Sequence, residues 1–299
     1  MFDLKRFFIW VFLFFFSILI FSSGQNIQKK SDQEKLSKIL IKAAEYFERL
    51  QSQSVHFFCR EKIVETIYPI PKKFRAFIKS NIGVQGDFTK FRGEEPIVNS
   101  YLYDFQVIRK GKREKEKRIL LEENGKKRYK EKVPLKTKIF IYRAVVYGPE
   151  IFGKKSQRFY NFSITGSKRW KGMDVLMIKA APKNSARKDL AWGEFMIEKK
   201  DSSFIKINID QKSVGNFYSL WKKARVMNAR ARLSILLEYN VKNNGIRFPS
   251  RFILKEIYIT TEGEKIMLSK IEVNYSDYNF FNVDVKVQKK ESIVEDKNI

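Results

Sequence analysis

The stretch AWGEFMIEKKDSSFIKINID, residues 191–210, decides the fold class. Before its polar turn, Phe195 and Ile197 alternate with Met196, and after the turn isoleucines alternate with polar residues. A period of two with β-branched and aromatic side chains is typical of strands, so the stretch predicts an antiparallel hairpin with one buried face. The period fixes the alternation but not which face lies inside. We expect these side chains to point inward: Phe195, Ile197, Ile205 and Ile207.

Similar alternation recurs along most of the chain. It predicts a strand from 55 to 68 that carries Phe57 and Cys59 on one face and ends at Pro69, because proline cannot donate to a ladder. Asn244-Gly245 and Glu262-Gly263 predict turns between later strands. The segment 139–153 fits either a strand or a short helix broken at Gly148-Pro149, and 213–231 is less regular. Further strands are predicted in hairpins at 100–125 and 159–180, and at 233–241, 252–261, 265–275 and 281–287.

One amphipathic helix precedes these strands. Ser31 followed by Glu34 forms a capping box, which predicts a helix from Asp32 to about Leu50. Its apolar residues recur at three- and four-residue spacing, so we expect this stripe to pack on the sheet. The stripe comprises Leu36, Ile39, Leu40, Ala43, Phe47 and Leu50.

The first 24 residues have the order of a secretory signal peptide. Lys5 and Arg6 precede an apolar run from Phe7 to Phe21, and small residues follow up to Gly24. The apolar run is nearer the length of a signal sequence than of a spanning helix, although an uncleaved membrane anchor remains the alternative. No linker or repeat interrupts the rest, so residues 25–299 are predicted to form a single domain. Export without paired cysteines favours a bacterial periplasm or cell envelope.

Catalytic chemistry has few candidates in this chain, which contains one His and one Cys. His56 and Cys59 could form a dyad on a helix, but on a strand their odd spacing places them on opposite faces. We therefore expect Cys59 to be a small core residue. A metal site built from paired His and Cys is impossible, and no phosphate-binding glycine motif is present. We predict no enzyme activity and no cofactor, with a carboxylate pair for glycoside hydrolysis as the alternative that sequence leaves open.

The basic run RKGKREKEKR, residues 109–118, belongs to a chain with 60 Lys+Arg against 33 Asp+Glu and a formal net charge of +27. With aromatic residues such as Tyr101, Tyr103 and Phe105 nearby, the run could bind nucleic acid. Because Glu114 and Glu116 interrupt it and the chain is exported, we favour a solvated hairpin turn and no nucleic-acid partner. Outside the cytosol, the anionic partners are lipid headgroups, lipopolysaccharide and cell-wall polymers.

Two stretches carry a resemblance to a known family. WGEFMIEKKDSSFIKINI at 192–209 and EYNVKNNGIRFPSRF at 238–252 resemble segments of the periplasmic lipoprotein-carrier superfamily, the LolA/LolB-like proteins. The resemblance implies a mainly β fold with few helices, in which a large antiparallel sheet is curved into an unclosed barrel and covered by the N-terminal helix. It also implies a concave apolar trough that accepts acyl chains, with a lipid or an acylated protein as the partner. The excess of Lys and Arg adds an anionic membrane surface as a second partner.

The expected function is therefore an exported carrier of lipids or lipoproteins in the bacterial cell envelope. The alternative is a non-catalytic envelope scaffold with a fully packed sheet interior, which binds anionic polymer or headgroups through its basic surface. A carrier needs a cavity large enough for an acyl chain, whereas a packed barrel has none. The residues expected to line the trough are Phe57, Phe162, Phe195, Ile197, Ile205 and Ile207.

The signal-peptide hypothesis predicts that the exported protein begins at or close to Gln25, because the small residues that end at Gly24 suit signal peptidase. N-terminal sequencing of the protein recovered from outside the cytosol measures this directly. A mature form that keeps residues 7–21 in the membrane would contradict the hypothesis.

Overall fold

The structure is a computed structural model, and it describes eight stretches of the chain. The predicted signal peptide, the capping residue Ser31, His56 and all but the first residue of the strand predicted at 281–287 lie outside the described residues. The described residues are 33–55, 57–74, 95–110, 113–131, 133–137, 143–184, 190–209 and 218–281.

Thirteen strands and four α-helical segments are found in these stretches. A 3-10 helix at Pro149–Phe152 accompanies them. In chain order, the elements are α1 (33–53), β1 (Phe57–Ile67), α2 (72–74), β2 (Ile97–Lys110), β3 (Arg113–Glu123), β4 (Lys126–Glu131), α3 (Lys154–Gln157), β5 (Tyr160–Trp170), β6 (Met173–Pro182), β7 (Gly193–Glu198), β8 (Phe204–Ile209), α4 (Tyr218–Val226), β9 (Ala229–Glu238), β10 (Val241–Asn243), β11 (Ile246–Phe248), β12 (Arg251–Thr260) and β13 (Lys265–Phe280).

Eleven of these strands form one antiparallel sheet in the order β4-β3-β2-β1-β13-β12-β9-β8-β7-β6-β5. The first and last strands, β1 and β13, pair in its middle, while β4 and β5 are its two edges. The pairs β3–β4, β5–β6, β7–β8 and β12–β13 are joined by turns of two to five residues, which antiparallel pairing permits. The prediction of a mainly β fold with a large, unclosed antiparallel sheet is confirmed.

One face of the sheet, here called the inner face, carries the main hydrophobic core. In β1, alternate residues from Phe57 to Ile67 are buried on it, as the period of two predicted. Three covering elements complete the same core: α1, α4 and the covering segment, defined as residues 143–153. Because a half-buried sheet leaves its apolar face uncovered, these elements remove that surface from water.

The N-terminal helix covers the inner face as predicted. Ala43 and Leu50 of the predicted stripe are fully buried, while Phe47 is partly buried and packs against the core. Tyr46, which the stripe did not include, is also fully buried, and its hydroxyl accepts a hydrogen bond from the backbone N–H of Arg247 at 2.6 Å. The helix is therefore fixed to the fold by both apolar burial and a polar contact.

The hairpin of the opening stretch forms as β7 and β8, but its register contains a bulge. Ile197 lies opposite Phe204 and Met196 opposite Lys206, so Ile205 has no partner across the pair. As a result, Ile205 lies with Met196 in a small cluster on the other face of the sheet. The expectation that Ile205 points inward with Ile207 is wrong, because the extra residue of a bulge shifts the alternation by one.

The elements that the sequence left open are a mixture of turn and helix. Residues 144–148 form turns before the 3-10 helix, and 213–231 includes α4 and the start of β9. In the hairpin predicted at 159–180, β5 extends to Trp170, which leaves Lys171 and Gly172 as the turn. Both turn residues have positive φ, at 48° and 79°.

The packing of α1 predicts a sharp contrast between two aliphatic residues of that helix. Leu50→Ala should lower the free energy of unfolding by about 2–5 kcal/mol, because it removes buried methyl groups and leaves a cavity. Ile41→Ala, at a position that is 56% exposed, should change it by less than about 0.5 kcal/mol. Urea denaturation followed by circular dichroism measures both, and equal effects would contradict the packing.

Candidate functional site

A cavity of about 360 Å³ lies where the end of α1, the β2–β3 hairpin and the covering segment meet. Its volume falls within the range of about 300–1,000 Å³ that is usual for small-molecule sites. Three valines provide an apolar wall, and the other lining residues are polar or charged. The lining residues are Ser54, Val107, Lys115, Glu116, Arg143, Val145 and Val146.

The apolar wall comes from two parts of the chain. Val107 lies on β2 and points to the inner face, because alternate residues of this strand from Tyr101 onward are buried. Val145 and Val146 lie in turns of the covering segment and are both nearly inaccessible to water. A sheet residue and a covering residue therefore face the same cavity.

Hydrogen bonds to two side chains hold the covering segment in place. The hydroxyl of Tyr239, at the end of β9, donates to the carbonyl oxygens of Ala144 and Val145, each at 3.2 Å. At the start of the segment, the backbone N–H of Arg143 donates to Oε1 of Glu116 at 2.5 Å. Arg143 adopts a positive φ of 62°, a conformation that costs free energy for a non-glycine residue and persists where its surroundings hold it.

The other oxygen of Glu116 belongs to a buried ionic cluster. Its Oε2 accepts a hydrogen bond from Arg118 at 2.8 Å, and Arg118 also contacts both oxygens of Glu61, at 2.5 and 3.0 Å. The Glu61 and Arg118 side chains are only 0% and 4% exposed. Burial raises the pKa of Glu61, and the positive charge of Arg118 opposes that shift. The guanidinium also lies over the ring of Phe105, 4.5 Å from its centre.

This cluster corrects the interpretation of the basic run at 109–118. The run belongs to the ends of β2 and β3, and its last residue, Arg118, is buried in the core. The prediction of a solvated turn is therefore wrong for Glu116 and Arg118. Sequence gave a usable signal here, since Glu61 falls on the buried face of a well-patterned strand and needs a cationic partner.

The residues predicted to line a trough lie in the core rather than around this cavity. Phe195 and Ile207 are fully buried under the covering segment, where a Cβ on Gly148 would stand 2.8 Å from Cδ1 of Ile207. The ring of Phe152 lies 4.9 Å from that of Phe195 and 5.1 Å from that of Phe162. Of the six predicted residues, the inner-face core brings together Phe57, Phe162, Phe195, Ile197 and Ile207, and Ile205 lies on the opposite face.

Sequence reasoning missed the residues that do line the cavity. Alternation could have predicted that Val107 faces inward, because Val107 shares the period of Tyr101, Tyr103 and Phe105. Val145 and Val146 gave no signal, since the covering segment has neither a strand period nor a helix period.

Cys59 occupies the core position that the strand pattern predicted. Its side chain is 1% exposed, it lies opposite Phe105 in the β1–β2 pair, and burial raises the pKa of its thiol. Within the described stretches, no group of three or more His, Cys, Asp or Glu residues could hold a metal ion. None of the described helices is both long enough and apolar enough to span a membrane.

Comparisons with known proteins find solved structures that are similar to this chain. No protein-family model and no curated protein matches the chain. Solved structures similar to it include a DUF1329 family protein from Desulfovibrio piger, with 10% identity, a TM-score of 0.36, and coverage of 82% of this chain and 93% of that one. A domain named as an outer membrane lipoprotein-sorting protein from Vibrio parahaemolyticus has 11% identity, a TM-score of 0.37, and coverage of 84% and 95%.

A third neighbour is a LolA superfamily protein from Nitrosomonas europaea, with 13% identity, a TM-score of 0.33, and coverage of 85% of this chain and 97% of that one. The superfamily that the two sequence stretches resemble is thus among the structural neighbours of the chain.

The buried cluster predicts that Arg118, which contacts Glu61, stabilises the fold much more than Arg60, which only precedes Glu61 in sequence. Arg118→Leu should lower the free energy of unfolding by about 3–5 kcal/mol, because it leaves the Glu61 charge buried without compensation. The matched control is Arg60→Leu, which removes a partly exposed pair with Asp104 and should cost no more than about 1 kcal/mol. Chemical denaturation measures both, and similar small losses would show that the cluster is not held as described.

Proposed function

We propose that the protein binds an acyl chain in this cavity and carries a lipid or an acylated protein within the bacterial cell envelope. The observation that supports it best is the apolar wall of Val107, Val145 and Val146, which faces a space of about 360 Å³ beside charged residues. An acyl chain on this wall and a headgroup beside the charges would match the two kinds of surface. Concave apolar sites of this kind bind ligands without a catalytic group.

The free energy of burial is sufficient for such binding. Each methylene moved from water into an apolar site contributes about 0.8 kcal/mol, so about ten methylenes contribute about 8 kcal/mol. Association costs at least about 4 kcal/mol in lost translational and rotational freedom. A chain that is only partly buried would therefore still bind.

The proposal also gives a role to the residues predicted for the trough. The covering segment has Val145 and Val146 against the cavity and Gly148 against Ile207 and Phe195. A chain longer than the cavity would reach these core residues by displacing this part of the segment. Phe162, which is partly exposed beside Phe152, would then line the longer path.

A catalytic role for the carboxylates of this site has little support. Glu116 accepts hydrogen bonds from Nη1 of Arg118 and from the Arg143 backbone, and the two oxygens of Glu61 accept from Nε and Nη2 of Arg118. A general acid for glycoside hydrolysis must reach the scissile bond, and both oxygens of each of these carboxylates are already taken by these donors. We propose a binding protein rather than an enzyme.

An envelope scaffold is the second candidate, and the packing of the inner face favours it. Phe57 contacts the rings of Phe105, Phe248, Tyr278 and Phe280 with centroids 5.1–6.3 Å apart, which fills that part of the core with aromatic side chains. In this account, the basic surface binds anionic polymer and the cavity has no ligand.

Filling the cavity distinguishes these two functions. Val107→Phe should weaken binding of a fluorescent fatty-acyl probe by about tenfold or more, since the larger ring occupies the space that the chain would take. The control is Val98→Phe, the same change on the same strand at an exposed position, which should leave probe affinity unchanged. Fluorescence titration measures affinity, and thermal unfolding verifies that both variants are folded.

The carrier account would be contradicted if the delipidated, folded protein showed no saturable probe binding at low salt. Binding that is equally strong in Val107→Phe would place the ligand elsewhere than in this cavity.

A further inference from the structure

We infer that the cavity selects an anionic amphiphile, whose carboxylate or phosphate group lies beside Lys115 and Arg143 while its chain lies on the valines. This inference rests on the proposed function and adds the chemical class of the ligand. The cavity would bind amphiphiles with an anionic headgroup more tightly than uncharged acyl esters, alcohols and amides.

The cations that line the cavity can interact with such a headgroup. Lys115 is exposed and has no ion-pair partner among the described residues. Arg143 lies 3.6 Å from a carboxylate oxygen of Glu150, and these side chains are 47% and 41% exposed. An ion pair with that much solvent contributes little free energy, and the exposed guanidinium can also interact with a headgroup at the cavity.

The carboxylate that lines the cavity already has hydrogen-bond donors of its own. Both oxygens of Glu116 already accept hydrogen bonds, from the Arg118 guanidinium and from the Arg143 backbone. Glu116 is therefore committed to holding the wall of the cavity. One guanidinium, that of Arg118, serves both Glu61 and Glu116, and Lys115 and Arg143 carry the positive charge that a headgroup would meet at the cavity.

The wider hairpin adds positive charge at the same end of the sheet. The run at 109–118 contains seven basic and two acidic residues, and it forms the ends of β2 and β3 next to the cavity. Charges of one sign beside a low-dielectric wall raise the local concentration of oppositely charged ligands, and salt weakens the effect. The basic run would thus attract anionic amphiphiles to the site.

Three ligands with the same twelve-carbon chain test the inference. Dodecanoate, monododecyl phosphate and uncharged dodecanol are titrated against the fluorescent probe at neutral pH and low salt, below their aggregation concentrations. At least one anion should bind about tenfold more tightly than dodecanol, as expected for one or two charge-assisted hydrogen bonds. The ratio of the two anion affinities identifies carboxylate or phosphate as the preferred group.

Variants locate the charge that is responsible. The double variant Lys115→Gln and Arg143→Gln should lose the preference for the anion while its affinity for dodecanol stays the same. The matched control, Lys168→Gln with Arg169→Gln, removes one lysine and one arginine from exposed positions on β5, at the far edge of the sheet, and should keep the preference. Thermal unfolding verifies that both double variants are folded.

The two levels of the account fail in different ways. If dodecanol binds as tightly as the anions, or if the Lys115 and Arg143 double variant keeps the preference, the inference is wrong while the carrier function stands. If none of the three ligands displaces the probe and the probe itself does not bind, the proposed function fails and the inference fails with it.

Discussion

An unclosed sheet has to cover its apolar face with other parts of the chain, and this constraint shapes the whole molecule. A closed barrel would bury that face against itself, but here β4 and β5 end the sheet as separate edges. The inner face is covered by α1, α4 and the covering segment, and all three contribute to one core. Since burial of apolar surface is the main favourable term in folding, each cover stabilises the strands beneath it.

The cavity follows from how these covers meet. A helix end, a strand hairpin and an irregular segment meet there and leave a space of about 360 Å³ between them. Glu116 and Tyr239 hold the irregular segment over the sheet through its backbone. Arg118 donates hydrogen bonds to both Glu116 and Glu61. The wall of the cavity is therefore joined to the core of the sheet by a continuous chain of hydrogen bonds.

The parts of this fold that follow a regular period could be predicted from sequence. Alternation identified the hairpins and the buried face of β1, and the apolar stripe identified α1. Ile205 shows where the period fails, because one bulged residue moves a side chain to the other face without changing composition. Arg118 shows a second failure, because a charged residue in a basic run is read as solvated unless its buried partner is known.

The candidate site was less predictable than the fold for a related reason. Val145 and Val146 lie in turns, where local sequence carries no information about which distant strand they will face. Phe195 and Ile207 point to the inner face as expected, but they are packed beneath the covering segment and do not line an open space. Alternation predicts that the apolar face of the sheet must be covered. Which segment of the chain covers it depends on the tertiary structure.

Native mass spectrometry of the mature protein, isolated without detergent from a bacterial envelope, tests the central claim most directly. The account predicts a bound population whose added mass, released and analysed in negative-ion mode, is an acyl-chain amphiphile with a carboxylate or phosphate group. Val107→Phe should carry less of it than Val98→Phe. A protein that shows only its unliganded mass, under conditions in which a known acyl-binding protein keeps its ligand, would contradict the account.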